Sequence, residues 1–200
     1  ALIGDSNFGQ IRFGTGKGKL GESTPGFGFW SPTISEIDPL SCTSFKNVVI
    51  MVGTNNLKVN KLSETEITDH YREYKTKVSL IRKYNPRCKL FVCPVLPSKA
   101  HDLNRKIDIF NRFLFNDLCQ TDMNVIVVEG FRQFFDGRTN LLKSMFGKPD
   151  PGDTLHLNDR GVRVLVSLIK FSIFSSKNSS GKAGRKLYSN TLRGGPSNPV

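Results

Sequence analysis

Continuous apolar runs alternate with helical periodicity along this chain. Val48-Val49-Ile50-Met51-Val52 is uninterrupted by a polar residue, the pattern of a strand buried on both faces, and predicts a strand over 46–53. Ala1-Leu2-Ile3 reads as the end of another strand, closing at Gly4. A third is expected over 89–95, ended by Pro94 and Pro97, and a fourth over 124–129. Residues 64–84 read as a helix, with Ser63 as its N-cap and Asn85-Pro86 as its stop. Over 101–119, Leu103, Ile107, Ile109, Phe110, Phe113, Leu114 and Leu118 recur at helical spacing. Asn158 is placed to cap a last helix whose apolar face would carry Val162, Leu165, Val166, Ile169 and Phe171.

Strands joined by crossover helices imply a parallel sheet covered on both faces. The expected fold class is α/β, a three-layer α/β/α sandwich of flavodoxin type. Residues 9–39 interrupt the pattern. They carry Gly14, Gly16, Gly18, Gly21, Gly26 and Gly28, and predict a long loop or an atypical edge strand. A phosphate-loop reading of this stretch fails, because Gly18-Lys19 is followed by Leu20 and no glycine stands five residues before Gly18.

Two hundred residues, 38% of them hydrophobic, suit one such domain. Composition shifts at Ser175: of the last 26 residues, 15 are Gly, Ser, Asn or Pro, five are basic and none is acidic. The expected division is therefore a domain over 1–174 and a basic, disordered tail over 175–200, either an arm for nucleic acid or a solvated linker. The first strand is short, so the native protein is expected to extend upstream. No apolar run reaches the roughly 18 residues of a membrane span. A formal charge of +12 makes anionic partners plausible, nucleic acid or an acidic lipid surface. Cys42, Cys88, Cys93 and Cys119 form no C-x-x-C pair, and with only three histidines no zinc site is expected. Free thiols fit a reducing, intracellular and cytoplasmic setting.

The chemistry sits in three short motifs. Gly4-Asp5-Ser6-Asn7 puts a serine just past a strand, where a turn exposes its oxygen. Asp153-Thr154-Leu155-His156 offers a carboxylate and an imidazole three residues apart. Together they supply a nucleophile (Ser6), a general base (His156) and a group to orient that base (Asp153). Asp150 stands close enough in sequence to compete with Asp153. The third motif, Gly53-Thr54-Asn55-Asn56, follows a buried strand, and the Asn55 amide could donate to a developing oxyanion. The first two have plain alternatives: an N-cap serine, and a loop histidine with Asp153 in a turn beside Gly152.

In that order, the blocks resemble those of the SGNH (GDSL-type) hydrolases, over residues 1 to about 174. The basic surroundings and the ending Asp153 to Asn158 are most similar to the SGNH esterase domains encoded by animal non-LTR retrotransposons. The resemblance implies an oxyanion hole of the Ser6 backbone N–H, a loop-glycine N–H and Asn55. Gly26, after Pro25, fits the glycine block best, with Gly28 as fallback. Asn56 stands where the family usually has aspartate, a position whose role there is mainly structural. The implied activity is a cofactor-free serine esterase on small acyl esters, acetyl or lipid, through a covalent acyl-enzyme. The alternative is a weakly active or inactive binding module of a retroelement protein, associating with RNA or anionic membrane. A secreted carbohydrate esterase is a third reading.

Overall fold

The computed structural model describes residues 1–5, 28–136, 140–141, 143–147 and 156–178. Five strands form one sheet: β1 (Leu2–Gly4), β2 (Gly28–Trp30), β3 (Asn47–Met51), β4 (Lys89–Val92) and β5 (Val125–Val127). Their spatial order is β2-β1-β3-β4-β5, and every pairing is parallel. This is the doubly wound arrangement that the strand–helix alternation predicts. Phe135–Asp136 (β6) and Asn140–Leu141 (β7) make a separate antiparallel pair.

Alternate residues of the strands face two apolar layers, as a pleated strand requires. Ile3, Val48, Ile50, Leu90, Val92, Val125 and Val127 point to one layer, against Tyr74, Ile81, Ile107 and Phe110. Leu2, Val49, Met51 and Phe91 point to the other, against Leu165, Val166 and Ile169. The first layer is built by α2 (Glu64–Tyr84) and α3 (His101–Phe113), the second by α5 (Asp159–Asn178); α1 (Thr54–Leu57) is a single turn after β3. Helix α2 starts on a capping box: the Ser63 hydroxyl accepts from Glu66 N–H, and the Glu66 carboxylate accepts from Ser63 N–H. It ends at Tyr84, before Asn85-Pro86, as its sequence signals require.

Three sequence expectations are corrected. Strand β4 stops at Val92, because Pro94 has no N–H to extend the ladder. The 101–119 segment is not one regular helix: α3 passes through a π-helical turn, Leu114–Leu118, into α4 (Cys119–Thr121). In that turn Asp117 accepts from the Tyr71 hydroxyl at 2.7 Å and the Lys75 ammonium at 2.8 Å. Phe171 is exposed, not part of the core face of α5. Two residues after Ile169 is about 200° around a helix, so the buried face continues instead at Ile173. Helix α5 also runs past the composition change at Ser175, with Ser176 buried. Residues 179–200 lie outside the described residues. Among the described residues, no helix is long and apolar enough to cross a membrane.

The direction of α5 fixes the site. Lys89, at the start of β4, donates to the Ser176 carbonyl near the end of α5. From Asn158 to Ser176 the helix rises about 27 Å, longer than any strand here, so its N-terminus stands at the carboxyl edge of the sheet.

Candidate active site at the carboxyl edge

β1 delivers the chain to this edge through Gly4 and Asp5. Asp5 is buried, and its N–H donates to Met51 O at 3.3 Å, prolonging the β1–β3 ladder by one step. The next residue is Ser6. Ser6, Gly26 and Asp153, like Asn7 and Asp150, lie outside the described residues.

β3 delivers Asn55 through a turn that only glycine makes without strain. Gly53 has φ 135°, and a Cβ there would stand 3.0 Å from Val95 Cγ2. The turn opens α1, on which Asn55 and Asn56 occupy successive positions. Asn55 Nδ2 donates to Pro32 O at 2.9 Å, and Asn56 Oδ1 accepts from Ile34 N–H at 3.0 Å. The two amides thus strap down the segment that leaves β2. One Nδ2 hydrogen of Asn55 remains beyond that strap, since a primary amide carries two. Asn56 needs only an acceptor oxygen for its task, so an amide serves where a carboxylate would.

His156, half-buried, stands two residues before the N-cap of α5. Its carbonyl accepts from Gly147 N–H at 3.0 Å, and Leu157 bridges Phe146 in antiparallel fashion. Asn158 is the cap that the sequence predicts: its Oδ1 accepts from Arg160 and Gly161 N–H, both at 3.0 Å, while Nδ2 donates to Ser144 O. Gly161 allows this packing, because a Cβ there would sit 2.2 Å from Met145 O. His156 is therefore held through its own carbonyl and through Leu157 and Asn158, which follow it. Asn55 and His156 lie at the same edge, to which β1 also leads.

Two further residues shape this edge and carry no motif. The segment leaving β4, 93–98, is buried yet belongs to no ladder beyond Cys93. Asn111 satisfies both backbone groups of Val95, accepting from its N–H at 2.8 Å and donating to its O at 2.9 Å. Asn104 does the same for Ser98, at 2.7 Å in each direction. Their seven-residue separation on one helix face was the available signal. Cys93 sits beside this wall fully buried, and burial pushes its thiol far above the usual range, so it is an inert thiol and not a rival nucleophile.

Gly28 is set aside as an oxyanion donor. It opens β2 opposite Leu2, two residues (about 7 Å) short of the carboxyl edge, and a Cβ would meet nothing within 4 Å. The chain leaves β2 as Ser31-Pro32: Ser31 N–H donates to Gly4 O at 3.0 Å, and proline has none. Among the described residues, no group of three or more His, Cys, Asp or Glu is placed to hold a metal ion.

No protein-family model matches this sequence, and no curated protein matches it by sequence. Solved structures do match its fold. A protein of Streptococcus pneumonia described as a platelet activating factor superimposes with a TM-score of 0.65 at 17% identity, over 84% of this chain and 80% of that one. A family 3 carbohydrate esterase from Talaromyces cellulolyticus gives 0.52 at 15% identity, over 90% and 98%. The OSK domain of Drosophila Oskar gives 0.51 at 15% identity, over 64% and 61%. At such identities the likeness is one of fold: the α/β/α sandwich is shared.

Proposed function

We propose that the chain is an SGNH-type serine esterase acting on small acyl esters. The reading is supported above all by one convergence: the strand ending in Gly4-Asp5, the glycine turn carrying Asn55 and the segment carrying His156 meet at one sheet edge. Such edges are where doubly wound sheets bind ligands. An esterase among the proteins sharing the fold agrees with it.

In this mechanism Ser6 Oγ attacks the ester carbonyl while His156 takes its proton. His156 then protonates the departing alkoxide, leaving an acyl group on Ser6. Water, activated by the same imidazole, attacks the acyl carbonyl and releases the acid, returning the proton to Ser6. Asp153 accepts from the other ring nitrogen and stabilises the imidazolium. The oxyanion takes hydrogen bonds from the Ser6 N–H and the second Nδ2 hydrogen of Asn55. Because neither Ser31 nor Pro32 offers a spare N–H, Asn55 carries a large share of that charge. No cofactor enters this chemistry.

The test is hydrolysis of a short-chain p-nitrophenyl ester together with labelling by a fluorophosphonate. Ser6→Ala and His156→Ala should each lower turnover by a thousandfold or more, with the double variant little worse, and Ser6→Ala should lose the label (estimates of about 10³ or above). Asn55→Ala should cost roughly a hundredfold. A folded Ser6→Ala protein as fast as the parent would defeat the reading. The chain would then be a binding module for an anionic partner, which the net positive charge allows.

A further inference from the structure

The positive charge of this protein is not spread evenly. After Asp159 the chain has no further carboxylate side chain, yet it carries Arg160, Arg163, Lys170, Lys177, Lys182, Arg185, Lys186 and Arg193. Those eight make up two-thirds of the net +12, leaving +4 for residues 1–159. The concentration begins on the solvent side of α5. Arg160, Arg163, Ser167, Lys170, Phe171 and Phe174 fall at 3–4-residue spacing along one face, opposite the buried Leu165, Val166 and Ile169. The stripe is about 21 Å long. Phe171 and Phe174, one turn apart, are 72% and 59% exposed. Two phenyl rings this exposed, on the side of the helix away from its packed face, are not core residues out of place.

We propose that this face of α5 binds single-stranded nucleic acid, with the two phenylalanines stacking unpaired bases and the arginines and lysines meeting the phosphates. Cations in line with aromatic rings are the combination that holds a single strand without regard to sequence. A duplex would not use the rings, since its bases are already stacked. An anionic membrane is the weaker match. A helix lying in a bilayer surface presents a broad apolar face, whereas this stripe has Arg160, Arg163, Ser167 and Lys170 along most of its length and only two apolar side chains at one end. The stripe starts at the carboxyl edge with Arg160 but runs away from it, with both phenylalanines toward the far end of α5, so the proposal does not depend on ester hydrolysis.

The experiment is fluorescence anisotropy of a labelled oligouridylate of about twenty nucleotides with the full chain, at salt from about 50 to 200 mM. Phe171→Ser with Phe174→Ser should weaken binding about tenfold or more while leaving the salt dependence unchanged. Phe171→Tyr with Phe174→Tyr should restore it. Arg160→Gln with Arg163→Gln should make the slope of log K against log salt shallower by about 1.4, or roughly 0.7 for each phosphate contact removed. Both phenylalanines are exposed, so each variant should unfold at the parent's temperature. Equal binding by the serine variant would overturn the proposal, reducing the interaction to diffuse charge. So would release of that variant from phosphatidylcholine vesicles containing about 30% phosphatidylserine with no loss on the oligonucleotide, which would assign the face to lipid.

Discussion

At the amino edge of the sheet the connections are tied mainly by charged groups; at the carboxyl edge the same task falls to neutral amides. Arg82 is the centre of the first arrangement. Its Nε donates to Asp122 at 2.7 Å, just before β5, and Nη1 donates to the carbonyls of Asn85 and Cys88, just before β4. Lys89 reaches Ser176 across the same edge. Asn85, donating to Cys42 O and Phe45 O, is the neutral member there. Across the sheet, Asn55 and Asn56 hold the exit from β2, Asn104 and Asn111 the exit from β4, and Asn158 the strand-like piece beside His156. Charged donors stand further out: Lys106 donates to Val59 O after α1, and Lys77 to the carbonyls of Ser35 and Ile37, further along the segment leaving β2. An amide pins two backbone groups without adding net charge. A carboxylate or ammonium in the same place would shift any titrating base nearby. The difference fits the role proposed for His156, a base that gains and loses a proton.

The largest effect should come from breaking the charged side. Arg82→Met strands the Asn85 and Cys88 carbonyls and leaves Asp122 uncompensated, a loss of about 2–3 kcal/mol for a partly buried pair. Urea unfolding should show it as a lower midpoint. Ester turnover per folded molecule should stay at the parent's level, because the change lies at the opposite edge. A large fall in turnover at full folding would mean that the two edges are coupled.

Asn111→Asp should act in the opposite sense. The carboxylate still accepts from Val95 N–H, but it cannot donate to Val95 O and repels it, at a cost of about 1–2 kcal/mol. Val95 packs against Gly53, the turn that carries Asn55. Turnover should therefore fall several-fold in kcat with little change in KM, while Asn111→Gln recovers part of it. An unchanged kcat would reduce Asn111 to a purely structural brace.

Acid should sharpen the contrast further. Burial works to raise the Asp122 carboxyl, but the hydrogen bond from Arg82, with that from Asn124, outweighs it and holds the group below the ordinary carboxylate range. The depressed value means that this stabilisation is present above the unfolded-state value of about 3.9 and is lost as pH falls through the folded one. Asp117, held down by Lys75 and Tyr71, works the same way. Stability measured from pH 5 downward should drop less steeply in Asp122→Asn than in the parent. Identical slopes would show that the charged latch contributes nothing.

How much of this was legible in the sequence follows from how local each signal is. The start of α2 at Ser63 and the cap at Asn158 rest on side chains bonding backbone within three residues, and the stop at Asn85 on the proline that follows it; all three stand as the sequence predicts. The buried run 48–52 needed no partner to be recognised as a strand. Within 9–39 the sequence predicts a long loop or an atypical edge strand without placing it; β2 is that edge strand, and its three residues, Gly28-Phe29-Trp30, carry no apolar run that would locate it. Asn104 and Asn111 look like any polar residue on a helix until the β4 exit is seen lying against them. Phe171 misled because a phenylalanine near an apolar stripe was counted into it, although the 3.6-residue period excludes it. The strand-end motifs could be placed by order alone, since a parallel sheet sends every strand exit to one edge.

The smallest expected effect is the most direct test of the neutral edge. Asn56→Asp keeps the acceptor for Ile34 N–H and makes that bond charge-assisted, so stability should change by about 0.5 kcal/mol or less. It also matches the residue the SGNH resemblance leads one to expect at this position, which argues that the turn tolerates it. What changes is the field: one further negative charge enters beside Asn55, at an edge where Asp5 is already buried and the described connections are tied largely by amides. A negative charge favours the protonated imidazole and disfavours the oxyanion. The pH dependence of turnover should therefore move upward, and the maximal rate should fall a few-fold, both effects fading as salt screens the charge. If the variant folds normally and its profile superimposes on the parent's at low salt, then the amides of the carboxyl edge are chosen for their geometry alone. The contrast between the two edges would then carry no electrostatic meaning.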